Sequence, residues 1–307
     1  MFPIKLIASK KNKSYFLGKN QNKFAYTLLA PTLIFLALLM IYPLCWTVGM
    51  SFTDKRVGLD ATFNGLANYI TLLKDPIFLK TIVNTLIYTA CAVVLKIVLG
   101  MVMALVLNSK RLRARSLMRS LLYLPWALPT LVSIYAWKWM FSDVGGAINF
   151  ILQKLGFINQ QIGWFSTVTL AMISVVIVNV WRGTPFLGIS ILSGLQTVNQ
   201  DMYEAASIDG ANAWRQFWSI TLPQVKNVVL LASIITTIWT LNDFEIIWLL
   251  TRGGPDNGTQ VFSTLSYTYG FLNRDLGLSV AISVFTLPVL IFLVGIAAKK
   301  SMSDSAE

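Results

Sequence analysis

The run VNTLIYTACAVVLKIVLGMVMALVL, residues 83–107, decides the class of this chain. It carries a single charge, Lys96. A helix rises about 1.5 Å per residue, so a run this long exceeds the ~30 Å hydrocarbon core of a bilayer. It reads as a membrane span.

Five further runs of the same kind flank it, over 25–47, 117–141, 168–194, 228–250 and 278–298. The expected fold is therefore all-α, a polytopic membrane protein of six transmembrane helices. Pro125 and Pro129 fall inside the third run, where neighbouring helices can satisfy the freed backbone groups. Composition agrees: 55% of residues are hydrophobic and 12% charged, against about 25% charged in soluble domains. The chain has no histidine, which removes imidazole bases and ligands. Cys45 and Cys91 lie inside apolar runs and read as small apolar packers, not a disulfide or metal pair. The acids are scattered, so no membrane enzyme is indicated. The first run is too long for a signal-peptide core and leads into Tyr42-Pro43, so it reads as an anchored span.

The net charge of +12 is explained by topology. With the N-terminus inside, the cytoplasmic face holds Lys5, Lys10, Lys11, Lys13, Lys19, Lys23, Lys110, Arg111, Arg113, Arg115, Arg119, Arg215, Lys226, Lys299 and Lys300. Those fifteen face seven outside, and cytoplasmic loops are the ones enriched in Lys and Arg. Both termini are expected in the cytoplasm of a bacterial cell, with a basic tail at 1–24, a membrane domain at 25–298 and a short tail at 299–307. Lipid is the partner this charge implies, and no nucleic acid is needed.

One loop stands apart: GLQTVNQDMYEAASIDGANAWRQFWSITLP, residues 194–223. Asp201 followed by Glu204 makes a capping-box-like helix start. Gly210 is placed to end that helix in a left-handed conformation. Asn212 suits the cap of a second short helix, and Pro223 the start of the next span. The pattern gives helix, turn, helix on the cytoplasmic face. On pattern alone it reads equally as an amphipathic hairpin resting on lipid headgroups.

The wording of this loop resembles the "EAA" loop of binding-protein-dependent ABC importer permeases, through Glu204, Ala205, Ala206, Asp209, Gly210, Ile220, Leu222 and Pro223. Tyr42-Pro43-Leu44, Asn64-Gly65-Leu66-Ala67-Asn68-Tyr69, Leu124-Pro125-Trp126, Trp181-Arg182-Gly183 and Arg252-Gly253-Gly254-Pro255 resemble the carbohydrate branch of that family in its short six-span, maltose-permease-like form. The resemblance implies that loop 199–223 docks on a cytoplasmic ATPase through Glu204, Ala205, Ala206, Asp209 and Gly210. It implies a second homologous permease subunit, two ATPase subunits and an extracytoplasmic solute-binding protein. No Gly-x-x-x-x-Gly-Lys-Ser/Thr occurs here, since Gly18-Lys19 is followed by Asn20. The chain is thus expected to hold no cofactor and to be no enzyme, with ATP and Mg on the partner ATPase.

The charges inside spans point to a substrate path. Insertion scales put an Arg or Asp at the bilayer centre at roughly 2.5–3.5 kcal/mol, so Arg182, Asp243 and Glu245 together cost about 8–10 kcal/mol facing lipid. They should face one another, a partner helix or a wet cavity. Ser233, Thr236, Thr240 and Asp243 recur at steps of three and four, and Asn179, Arg182, Gly183 and Phe186 share a face of the fourth span. Amides, guanidinium groups and rings are what sugars use. The resemblance places a mid-membrane sugar site on Asn179, Arg182, Gly183, Phe186, Thr236, Thr240 and Asp243. Arg182 and Asp243 depart from the maltose pattern and leave room for an anionic substrate such as a uronide or a phosphorylated polyol. The same Ser and Thr also read as helix glue, and the charges as a structural ion pair. Lys96 reads as a snorkelling or neighbour-paired lysine, and Trp126 and Trp137 as bundle filling. An ion-coupled secondary transporter is the alternative function.

Overall fold

The computed structural model describes residues 19–109 and 114–304. Lys5, Lys10, Lys11 and Lys13 of the basic tail, and Lys110, Arg111 and Arg113 of the first cytoplasmic loop, lie outside the described residues. The described chain is helical, with isolated bridges at Thr53–Phe63 and Arg56–Asp275. It divides into two units, Met1–Gly49 and Met50–Glu307.

The first unit is one apolar rod. Helix α1 (Lys19–Leu36) passes through a π-helical turn, Ala37–Ile41, into α2 (Tyr42–Met50). The window Tyr26–Met50 has mean hydropathy 2.3 and none of it is buried, as suits a helix whose solvent is lipid. The Tyr42 amide bonds to the Ala37 carbonyl, closing the wide turn just before Pro43. A π-turn there relieves the clash of a proline ring with the preceding turn.

The second unit contains α3 (Ala67–Lys74), α4 (Pro76–Asn108), α5 (Arg115–Ala127), α6 (Thr130–Met140), α7 (Ala147–Lys154) and α8 (Val168–Leu195). It continues with α9 (Gln200–Ile208), α10 (Ala213–Gln216), α11 (Leu222–Leu241), α12 (Glu245–Leu250), α13 (Phe262–Tyr267) and α14 (Leu276–Asp304). Among the described residues of the two units taken together, five helical stretches are long and apolar enough to cross a membrane, or six with the bent pair α5–α6. Helices α4 and α8 form the central pair, and α11 packs on both. Close approach is built in at Gly100, where a Cβ would lie 2.9 Å from Leu187 Cβ and 3.1 Å from the Gly188 nitrogen.

Two expected spans are not continuous. The third, read as 117–141, bends by 91° between α5 and α6. Leu128 (ψ 143°) and Pro129 (ψ 131°) are both extended there, because the residue before a proline is driven out of the helical region. The fifth, read as 228–250, breaks at 242–244, between α11 and α12. The break frees the Asp243 carbonyl, which accepts from Ser263 Oγ at 2.7 Å. Cys45 and Cys91 are exposed, so they do not pack the core as expected.

Two apolar cores are stacked along the α4–α8 pair. One gathers Tyr88, Ala92, Val175, Val178, Ile246 and Ile247. The other gathers Met101, Ala104, Leu187, Ile191, Val225 and Ala232. Lys96 lies between them on α4, Asn179 and Arg182 on α8, and Thr236 to Asp243 on the fifth span. These polar residues thus form a layer between two hydrophobic ones.

The connections at the other side of the bundle are held by side chains. Asn68, in the Asn64–Tyr69 motif, donates to the Ser51 and Thr53 carbonyls, both at 2.8 Å. Asp75 caps α4 by accepting from the Ile77 amide at 2.9 Å and also accepts from the Tyr269 hydroxyl at 2.7 Å. Arg56 pairs with Asp275 at 3.5 Å.

Candidate functional site

A cavity of about 120 Å³ opens in the polar layer, lined by Lys96, Trp126, Asn179, Arg182, Gly183, Thr236, Trp239, Thr240, Asp243 and Ile246. Six of the seven residues expected at a mid-membrane site line it: Asn179, Arg182, Gly183, Thr236, Thr240 and Asp243. Phe186 does not, but its ring packs on Trp239 with centroids 4.7 Å apart. Ser233 also stays out, its hydroxyl bonded back to the Val229 carbonyl at 2.6 Å.

Asp243 is the hub. Its Oδ2 accepts from the Tyr88 hydroxyl at 2.6 Å and from Asn179 Nδ2 at 2.8 Å, and its Oδ1 from the Ile246 amide at 3.3 Å. It belongs to the break that follows α11, not to a continuous helical stripe. The break aims the carboxylate into the cavity and lets it accept from an amide in the first turn of α12, where negative charge is favoured. Glu245 sits in the first turn of α12, exposed and away from the cavity.

Lys96 is 2% exposed. Its Nζ donates to Thr240 Oγ1 at 2.7 Å, while Thr240 donates to the Thr236 carbonyl at 2.6 Å. The lysine therefore does not snorkel, and among the described residues it forms no ion pair. A Cβ at position 183 would lie 2.6 Å from Lys96 Cδ, so Gly183 is the notch that receives the lysine stem. Arg182 donates to Thr130 Oγ1, and its Nε has no partner among the described residues. Asn179 Oδ1 is likewise buried without a donor. The structural ion pair considered for Arg182 and Asp243 does not form. Lys138, on α6, bonds to the Leu249 carbonyl at 2.8 Å.

Sequence reasoning undervalued Lys96, Tyr88 and Trp126. The signal was present for two of them: Thr81, Thr85, Tyr88 and Lys96 recur along α4 at steps of four, three and eight, and all are buried. Trp126 lines the cavity beside Tyr123, with centroids 5.3 Å apart, and so does more than fill the bundle. Trp137 is the filler expected, packed against Phe141 at 5.4 Å and Trp181 at 5.5 Å.

The hairpin at the other end of α8 follows its sequence with two corrections. The cap of α9 is Asn199, which accepts from the Asp201 amide at 3.0 Å, and not Asp201 itself. The expected second short helix runs on: α10, a π-turn at Phe217–Thr221 and α11 form one stretch, Ala213–Leu241. The π-turn precedes Pro223 as the first precedes Pro43. Asn212 caps α10 from Arg215 at 2.9 Å. Gly210, at φ +76°, closes α9. Its amide bonds to the Ser207 carbonyl at 3.1 Å and that of Ala211 to the Ala206 carbonyl at 2.9 Å, a Schellman closure.

Gln216 fastens the two arms through Ser207 Oγ at 2.9 Å, and Tyr203 reaches Thr221 at 3.0 Å. Glu204, Ala205, Asp209 and Gly210 are exposed, and Ala206 is half-buried. Glu204 also lines a cavity of about 360 Å³ under the hairpin. Beside them Ile208 is 87% exposed and Trp214 70%.

Membrane-length helices around a polar cavity, with a rigid exposed hairpin at one end, define the class as a transport permease. The chain belongs to the family of binding-protein-dependent transport system inner membrane components, whose profile matches residues 96–299. It is 37% identical to the trehalose/maltose transport system permease protein MalF of Thermococcus litoralis, over 90% of this chain and 92% of that one. It is 35% identical to the sulfoquinovosyl glycerol transport system permease protein SmoG of Agrobacterium fabrum, over 90% of each. In fold it is similar to a chain of a bacterial alginate ABC transporter solved in complex with an alginate pentasaccharide-bound periplasmic protein. The TM-score is 0.76 at 22% identity, covering 91% of this chain and 93% of that one. The family sets aside the ion-coupled transporter and the membrane enzyme.

Proposed function

We propose that this chain is a membrane-spanning subunit of an ATP-driven importer of a sugar or related glycoside. The observation that carries the reading is the convergence of Asn179, Arg182, Gly183, Thr236, Thr240 and Asp243 on one cavity at mid-bundle. Amide, guanidinium, hydroxyl and carboxylate groups there meet the rings of Trp126 and Trp239, the set that binds hydroxyl pairs and covers a sugar's C–H face. The names of MalF and SmoG, both sugar or glycoside permeases, support the same substrate class.

The partners follow from the reading. A second homologous permease completes the path, two ATPase subunits hold ATP and Mg, and an extracytoplasmic solute-binding protein delivers the sugar. The periplasmic protein in the alginate complex supports that last partner. The hairpin of loop 199–223 is the ATPase-coupling element, presenting Glu204, Ala205, Ala206, Asp209 and Gly210. Its exposed Ile208 and Trp214 are apolar surface suited to burial against a subunit. Both termini, the basic tail at 1–24 and the tail at 299–307, lie on that cytoplasmic side of the membrane domain at 25–298.

A pull-down tests this. The tagged chain is extracted from its host in mild detergent, with and without Gly210→Val. A second permease and an ATPase should co-purify, and the ATPase should be lost on substitution. Recovery of the intact chain alone, with sugar uptake unaffected by its deletion, would overturn the proposal.

A further inference from the structure

We propose that the cavity selects a saccharide bearing one negative charge, and that Lys96 and Arg182 are the residues that read it. The inference rests on the sugar-importer reading above and names the substrate class of the same site.

The charges lining the cavity do not balance. Lys96 and Arg182 face a single carboxylate, Asp243, and neither cation forms an ion pair among the described residues. Asp243 is already held by Tyr88 and Asn179. An uncompensated cation within a membrane bundle is costly and persists where a ligand or a water-filled path makes use of it.

The lysine is also deliberately housed. Its stem lies against Gly183, where any Cβ would meet Cδ at 2.6 Å. It is 2% exposed, so its amine is held at the cavity wall and cannot reach an interface. Of its three donor hydrogens one is directed at Thr240.

The unused hydrogen-bonding groups describe the ligand. Lys96 retains donors, and Arg182 Nε has no acceptor. Planar guanidinium and ammonium together suit the oxygens of a carboxylate, sulfonate or phosphate. Asn179 Oδ1 is an acceptor without a donor, a place for a sugar hydroxyl. Donors for an acid beside an acceptor for a hydroxyl, under two indole rings, are complementary to a glycoside acid. A neutral sugar would leave one positive charge in the cavity without a counter-charge.

The test is uptake by the native host against the same host deleted for this chain. The probes are glucose and its one-to-four-unit oligomers, paired with counterparts carrying a carboxylate, a sulfonate or a phosphate at C6 of one unit. Deletion-dependent uptake should favour an acid member over its neutral twin by about tenfold or more. Lys96→Met should bring the two toward parity and Lys96→Arg should keep the preference, both at normal membrane abundance. Deletion-dependent uptake of neutral members at the acids' rate, unaltered by Lys96→Met, would overturn the proposal. A carboxylate from the second permease balancing the cations would give that result. Uptake of every probe without regard to the deletion would instead sink the sugar reading, and this one with it.

Discussion

The Tyr88 hydroxyl donates to Asp243 Oδ2 at 2.6 Å, fastening α4 to the break between α11 and α12. Asn179 of α8 donates to the same oxygen at 2.8 Å. One carboxylate thereby gathers three elements of the bundle. A broken span needs such a clasp, because the backbone groups it frees have no lipid to bond.

Tyr88→Phe should therefore loosen the polar layer without collapsing it, since Asn179 and the Ile246 amide remain on Asp243. Hydrogen bonds inside membrane bundles are worth about 0.6 kcal/mol on average and up to ~1.7. A loss near 1 kcal/mol is expected in thermal unfolding of the detergent-purified importer. Asn179→Leu adds a second lost bond to the same oxygen, so the double variant should be less stable than either single. Unchanged stability in both would mean that the carboxylate is held by something else.

The spans were legible because lipid leaves a coarse signature, long runs with almost no charge. Their breaks were written more faintly. The bend at Leu128-Pro129 follows from the rule for residues before proline, but many prolines in spans are tolerated without a bend of this size. Asp243 lines the cavity beside Thr236 and Thr240, but the helical count that grouped it with them is invalidated by the break at 242–244. The cap of α9 went to Asp201 because both Asn199 and Asp201 are good cappers, and only the end of α8 at Leu195 decides between them. The buried face of Lys96 was legible in the recurrence along α4, but its role was not. Its role depends on a notch at Gly183, eighty-seven positions away, and tertiary contacts of that kind leave no periodicity.

Tyr269 sits outside the spans with its hydroxyl on Asp75. Its pKa is pushed up to about 12, first by burial and then by the hydrogen bond and charge of Asp75. An ordinary tyrosine titrates near 10. The folded state thus holds this proton more tightly than the unfolded chain. The stability it contributes is complete below pH 10 and lost as pH rises through about 12. Tyr269→Phe should flatten the fall in unfolding temperature over that window. An identical alkaline profile would show that Tyr269 does not titrate with folding.

Gly210 separates the shape of the coupling hairpin from its surface. At φ +76°, with no atom within 4 Å of a built Cβ, the demand is conformational. Non-glycine residues pay about 1–2 kcal/mol there, and asparagine tolerates the region best. Gly210→Asn should preserve sugar uptake and ATPase co-purification, and Gly210→Val should lose both while insertion persists. If both variants fail equally, the space around Gly210 is filled by the docked subunit and bulk is the reason. If both transport normally, the coupling role of the hairpin is wrong.

Gly183→Ala tests whether the notch exists for Lys96. The new methyl would meet Lys96 Cδ at 2.6 Å and lie 3.3 Å from its amine nitrogen, Nζ. The lysine stem is flexible, so it should swing away and give up Thr240 before the helices part. Substrate affinity should fall more than stability does. Lys96→Ala removes the atoms that clash, so the alanine at 183 should then be harmless. A double-mutant cycle on unfolding temperature should show coupling of about 0.5–3 kcal/mol, the range for residues in contact. Additive effects would mean that α8 rather than the lysine resents the methyl, and that Gly183 serves the packing of α4 on α8. That outcome would leave the lysine free to move, and with it would go the reason for assigning Lys96 a fixed place in the cavity wall.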